Sequence, residues 1–285
     1  MAMSDDAYAG GRRMAFICIV VGLLVFACIA YLFFKSDPQA CETSANNTLV
    51  VYCAASMRLP LEMAAEAFKK EYQNRIIFQY ASSGELEGKL RLDASMGGAR
   101  ADLYIPADDF FAERARLNQV VTESIQLASF SLVLAVKPEY GLRLHSVQGL
   151  IDSDVAFAIC NKEAGVGKKT EKVLGALGLY EAKKKKKTVE FPTVTELCQS
   201  IQMSESIDAG FVWDATARQF GLKIIRLDEL EGAKSTISAN LVAGSGNSVL
   251  AMKFARFLAS PEKGNVYFDR FHFTPIAGYQ RVKKP

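Results

Sequence analysis

The hydrophobic and polar positions of this chain fall into three stretches of different rhythm. Met14 to Phe34 are 21 consecutive residues without a charge, MAFICIVVGLLVFACIAYLFF. As a helix this run is about 30 Å long, the thickness of a bilayer's hydrocarbon core. From Thr48 the pattern changes. Thr48 to Cys53 is a short apolar run of the kind a buried parallel strand shows. Leu61, Ala64, Ala65, Phe68 and Tyr72 then recur at i, i+3, i+4, i+7 and i+11, which predicts an amphipathic helix. Ile76 to Tyr80 is a second strand, Leu86, Leu90 and Ala94 mark a second helix, and Leu103-Tyr104-Ile105 is a third strand before a short helix from Asp108.

The third stretch starts the strand–helix rhythm again. Leu127 to Val136 is strand-like and stops at Lys137-Pro138, and Val155 to Ile159 is another strand. Val173, Leu174 and Leu177 belong to a helix ending at Gly178, and Val194, Leu197, Cys198 and Ile201 mark a further one. Phe211-Val212-Trp213 and Ile237 to Val242 are strands, and a last helix carries Leu250, Phe254, Phe257 and Leu258 before Pro261. Alternation of this kind is the signature of a parallel α/β sheet with right-handed crossovers. Two α/β lobes joined by extended crossings follow, with a ligand cleft between them.

Arg12 and Arg13 precede the apolar span and Lys35 follows it, so the positive-inside rule puts the N-terminus in the cytoplasm and the rest across the membrane. A cleaved signal peptide is the alternative, but its apolar region usually stops at about 7–15 residues. Val25-Phe26-Ala27-Cys28 is a poor lipoprotein cleavage site, because Phe26 is bulky and the chain stays apolar to Phe34. The net charge is +3, from 34 Lys+Arg and 31 Asp+Glu. Residues 1–34 hold two of each sign, so without the Lys183–Lys187 run the remainder is at −2. No nucleic-acid partner is implied, and the lysine run reads as a solvated loop.

Four turns after strands are rich in small residues, serines or glycines: Ala54-Ala55-Ser56, Ala81-Ser82-Ser83-Gly84, Glu163-Ala164-Gly165-Val166-Gly167 and Pro192-Thr193-Val194. Each offers backbone N–H groups at a helix start, a chemistry suited to an oxyanion held without a counter-charge. Taken singly, Ser56 and Ser83 fit plain N-caps. The turn at Gly165-Val166-Gly167-Lys168-Lys169-Thr170 lacks the glycine and hydroxyl that a nucleotide phosphate loop needs, because Lys162 and Lys169 occupy those positions. Asn46-Asn47-Thr48 fits a glycosylation acceptor only in a eukaryotic secretory route. Cys18 and Cys28 lie in the apolar span; Cys41, Cys53, Cys160 and Cys198 have no zinc-ligand spacing, and one disulfide without deducible pairing is compatible with them. By default a lone tryptophan after a strand, here Trp213, packs in the core.

Together these residues resemble the molybdate-binding proteins of ABC importers, members of the type II periplasmic binding protein fold. The carrying stretches are Val51 to Ser56, Tyr80 to Leu86, Gly98 to Asp108, Ala209 to Ala215 and the Phe254 to Pro261 helix, and the likeness runs from about Leu49 to Tyr279. The resemblance implies a two-lobed α/β receptor that closes over molybdate or tungstate, is no enzyme, needs no cofactor and works as a monomer beside a permease. Carried over by position, Ser56 and Ser83 offer hydroxyls and N–H groups, and Val166 and Val194 backbone N–H groups. Trp213 stands where the family has a tyrosine, and an indole N–H replaces the phenol as donor. The implied division is residues 1–35 as cytoplasmic tip and inner-membrane anchor and 36–47 as linker. Residues 48–126 with 244–285 form the first lobe and 127–243 the second, both lobes being periplasmic.

Two alternatives stay open. The same fold takes sulfate or a metal ion held by carboxylates such as Glu85, Asp108 and Asp214, or the chain is an anchored hydrolase. The hydrolase reading needs a nucleophile with a positioned base, and the two histidines, His145 and His272, follow no catalytic pattern.

Overall fold

The computed structural model describes residues 47–139, 144–181 and 188–276 and the backbone of Arg281–Val282. The expected membrane span, most of the linker, Cys41 and the Lys183–Lys187 run lie outside the described residues. Among the described residues no helix is long and apolar enough to cross a membrane.

The first half builds β1 (Thr48–Ala54), α1 (Arg58–Tyr72), β2 (Arg75–Ala81), α2 (Ser83–Ser95), β3 (Leu103–Ile105), α3 (Asp109–Leu117) and β4 (Val121–Val136). There follow α4 (Val147–Asp152), β5 (Phe157–Cys160), α5 (Gly165–Ala176), β6 (Val189–Phe191), α6 (Val194–Met203), β7 (Ala209–Trp213), α7 (Asp214–Gln219) and β8 (Lys223–Ile225). The chain returns through β9 (Lys234–Val242), α8 (Ser248–Ala259), α9 (Asn265–Arg270), β10 (Thr274–Pro275) and β11 (Arg281–Val282). Local chemistry sets several boundaries. A Ser82–Glu85 capping box opens α2, with the Glu85 carboxylate accepting from the Ser82 N–H and hydroxyl. The left-handed Gln73 ends α1 after Lys69 and Lys70, whose charges suit the negative end of the helix dipole.

Strand order is β2-β1-β3-β9-β4-β7-β5-β6, with β10 and β11 added to the first half of β4 and β8 to its second half. The sheet is mixed, not the parallel one the alternating pattern predicts. β1 pairs in parallel with β2 and β3, and β5 with β6 and β7, but β4 and β9 run antiparallel to their neighbours. The reason lies in β4, which is 16 residues long where the pattern showed ten from Leu127. Val121 to Ser131 pairs with β9, and Leu132 to Val136 pairs with β7, so one strand serves both lobes. This shared strand runs antiparallel to both of its neighbours, which the strand–helix alternation does not reveal. β9 pairs with β3 and with the first half of β4, so Lys234–Val242 lies in the first sheet, whereas the expected division grouped these residues with the second lobe.

The lobes pack by ordinary hydrophobic burial. In the first, Phe68 of α1 meets Phe254 and Phe257 of α8 with ring centroids 5.0 and 5.2 Å apart. In the second, α6 sits close on β7: a Cβ on Gly210 would stand 2.8 Å from Ile201 Cδ1 and 3.2 Å from the Ala158 carbonyl oxygen. Cys53, Cys160 and Cys198 are free, buried thiols, and burial raises the pKa of all three. Phe68→Ala is expected to destabilise the chain by about 3–5 kcal/mol in chemical denaturation, as removal of a fully buried aromatic ring does; a loss under about 1 kcal/mol would show that α1 and α8 repack without it.

Candidate functional site

Every βα unit of a parallel sheet places its helix start at the carboxyl end of the preceding strand, and ligands bind along that edge. Here the segments following β1, β2, β3, β5 and β6 and the end of β7 come together at one small cavity of about 20 Å³. Ser56, Ser83, Val166, Val194 and Trp213, the five residues singled out from the sequence, all line it. No charged side chain does.

Neither serine is a cap. Ser56 lies in a short 3₁₀ turn between β1 and α1 and caps neither; its buried hydroxyl has no hydrogen-bond partner among the described residues. Ser83 is the first residue of α2, and Ser82 does the capping. The Ala107 N–H donates to Ser83 Oγ at 3.0 Å, leaving the serine's own proton free to donate elsewhere. The Tyr104 hydroxyl donates to the Ser83 carbonyl at 2.7 Å, and burial raises that phenol's pKa well above its ordinary value, so it stays protonated as the donor. Val166 is the second residue of α5 and Val194 the first of α6, positions whose N–H groups have no intrahelical acceptor. Trp213 is fully buried, with its ring 4.1 Å from that of Phe130, centroid to centroid. Its Nε1–H is a second buried donor without a partner among the described residues. The core-packing expectation for Trp213 is therefore half the picture: the ring belongs to the core and its polar edge to the cavity.

The two lobes touch beside this cavity. The Gly84 N–H of the first lobe donates to the Glu163 carbonyl of the second at 2.8 Å. Gly84 and Gly165 both face the opposite lobe at distances that leave no room for a side chain; a Cβ on Gly165 would stand 2.9 Å from Asp108 Cβ and 3.0 Å from the Ala107 carbonyl. Lys169 of α5 reaches across to Asp108 at 3.3 Å and Asp109 at 3.2 Å, and the Ser235 hydroxyl donates to Asp108 at 2.7 Å. Burial raises the Asp108 pKa, against the opposing pull of the Lys169 ammonium and the Ser235 hydroxyl. Residues so distant along the chain give no local signal, and this bridge was not legible in the sequence.

The carboxylates considered as metal ligands are engaged elsewhere. Glu85 closes the capping box, Asp108 caps α3 and meets Lys169, and Asp214 accepts from the Ser131 N–H at 2.9 Å. Among the described residues no group of three or more His, Cys, Asp or Glu side chains is placed to hold a metal ion. Both histidines are exposed and outside the cavity lining.

Two lobes that share β4, with a cleft lined by strand ends and helix starts, have the architecture of a substrate-binding protein. The chain belongs to the bacterial extracellular solute-binding proteins, whose family profile matches residues 49–270. It is similar to the substrate-binding domain of a candidate molybdenum ABC transporter from Clostridium difficile, with 25% identity, a TM-score of 0.58, and coverage of 80% of this chain and 99% of that one. The periplasmic molybdate-binding protein of Azotobacter vinelandii is 20% identical with a TM-score of 0.64, over 79% of this chain and 98% of that one. Iron-bound HitA from Pseudomonas aeruginosa shares the fold at 14% identity and a TM-score of 0.65, over 84% of this chain and 90% of that one.

Gly165→Val is expected to hold the lobes apart, read as a larger radius of gyration in solution scattering with an unchanged denaturation midpoint. An unchanged radius would show that this glycine contact does not limit closure.

Proposed function

We propose that the chain is a membrane-anchored receptor for molybdate or tungstate, which it holds with neutral donors and delivers to a permease. The observation that carries this reading is the pairing of two buried, unpartnered donors, Ser56 Oγ and Trp213 Nε1, in a cavity lined without charge. Buried polar atoms are ordinarily hydrogen-bonded, and an unpaired pair in one cavity is what a ligand site looks like before its ligand is considered. The serine hydroxyls at 56 and 83, the indole at 213 and the N–H groups at 166 and 194 are the donors we assign to the four oxygens of a tetrahedral dianion.

Magnitudes support the assignment. Hydrogen bonds to a charged group contribute about 1.5–3 kcal/mol each, so about five to seven of them supply roughly 8–20 kcal/mol before association and closure costs. Micromolar to nanomolar affinity requires about −8 to −12 kcal/mol. Neutral donors also suit a carrier, because an arginine or lysine pair holds a dianion harder and releases it less readily. Sulfate, with the same charge and shape at smaller size, is the second reading. The span 14–34 anchors the receptor in the inner membrane, with both lobes on the periplasmic side.

Calorimetric titration of the full-length chain with molybdate, tungstate and sulfate tests the proposal. One-to-one binding of the first two in the micromolar range or tighter is expected, with sulfate at least about tenfold weaker; no heat with any of the three would overturn it. Ser56→Ala and Ser83→Ala should each weaken molybdate binding by about 1.5–3 kcal/mol, the contribution of one hydrogen bond to a charged group. For the anchor, alkaline carbonate extraction should leave the full-length chain in the membrane pellet, and its release to the supernatant would count against an uncleaved span.

A further inference from the structure

Two helix starts meet across the cleft, and charge joins them. α3 opens at Asp109 in the first lobe and α5 at Gly165 in the second. Lys169 of α5 reaches Asp108 at 3.3 Å and Asp109 at 3.2 Å. In the opposite sense, Arg114 of α3 stands 3.8 Å from Glu163, just ahead of α5, while the same Nη2 holds Glu87 of its own lobe at 2.8 Å. The Lys168 ammonium adds a third crossing, 5.0 Å from the centroid of the Phe110 ring.

The Lys169 bridge differs from an ordinary surface pair. The Asp108 side chain is 2% exposed and that of Lys169 12%. Exposed pairs contribute little, whereas a carboxylate left buried without its cation is strongly unfavourable. Part of what buries Asp108 belongs to the other lobe, because a Cβ on Gly165 would stand 2.9 Å from Asp108 Cβ. Separating the lobes therefore returns the carboxylate toward water. The Lys169 charge is needed while the lobes are together and dispensable once they part. Its position in the helix points the same way. Lys168 and Lys169 stand at the close of the first turn of α5, the positive end of the helix dipole, where a cation gains nothing. What stabilises them lies across the cleft for Lys169, and for Lys168 in Glu171 and the Phe110 ring.

We propose that the α3–α5 ion pairs are a latch that holds the lobes closed and sets how long a captured ligand stays, although none of them lines the cavity. The latch does not depend on which ligand the cavity takes. Its effect on dwell time rests on the anion-binding reading above.

One amide reports directly on the latch. Gly84 is the second residue of α2, where an N–H has no intrahelical acceptor, and its bond to the Glu163 carbonyl at 2.8 Å crosses the cleft. Hydrogen exchange of that amide, read by mass spectrometry on the full-length chain without added ligand, follows separation of the lobes. Lys169→Met is expected to speed it at least about fivefold, the effect of a buried carboxylate losing its cation, while the amides of β1 exchange as in the wild type. Lys169→Arg, which keeps the charge, stays within about twofold of the wild type. Asp109→Asn, at the more exposed end of the bridge, speeds Gly84 exchange by a smaller factor of about two. Release of molybdate on dilution, followed by Trp213 emission, quickens at least about fivefold in Lys169→Met and stays within about twofold in Lys169→Arg.

Unchanged Gly84 exchange in Lys169→Met would overturn the latch. Faster exchange that spreads to β1 in both Lys169→Met and Asp109→Asn would overturn it too, since the whole fold and not the closure would have loosened. Faster Gly84 exchange with unaltered molybdate release would overturn the control of dwell time. Faster Gly84 exchange in a chain whose wild type binds no molybdate would support the latch and remove the oxyanion reading instead.

Discussion

The ladder along β4 is the constraint on which the rest of the structure depends. Its first half is hydrogen-bonded to β9 and its second half to β7, so the two sheets share one continuous strand. A shared strand fixes how the carboxyl edges of the two sheets face each other. Because the flanking βα units are parallel on both sides, their helix starts all arrive at that common edge. Five turns of unrelated sequence therefore converge without any of them being specified for the others.

That convergence is what lets the proposed site take an anion with no cation in it. The lining offers hydroxyls, an indole edge and helix-start N–H groups, each a partial positive charge on a fixed element. Lys169 is turned to Asp108 and Asp109, where it bridges the lobes. Charge holds protein to protein here, and dipoles line the cavity.

Much of this was legible in the sequence, and for definite reasons. The turns at Ser56, Ser83, Val166 and Val194 announce themselves because small residues and hydroxyls interrupt an apolar strand ahead of a helical period. α1 and α6 are legible because their apolar positions repeat over two turns or more. The antiparallel crossing was not, since a strand half buried in each of two sheets reads as one apolar run only where both faces are covered, from Leu127 onward. The short helices α4 and α7 were not, because six residues carry too little periodicity to register. The role of Ser82 as the cap in place of Ser83 was hidden by adjacent identical residues. The Lys169–Asp108–Ser235 bridge and the Gly165 contact depend on how the lobes meet, which no local pattern encodes.

Trp213 carries a practical consequence. It is the only tryptophan in the chain, and it lines the cavity while its ring packs against Phe130 in the core. The protein thus holds a built-in optical probe at the point of capture, with no competing indole emission. Its tyrosines aside, the light emitted above 300 nm comes from one ring, and in the complex we propose, that ring's environment changes as the anion accepts its N–H. Ligand loading can thus be followed without label or engineered reporter.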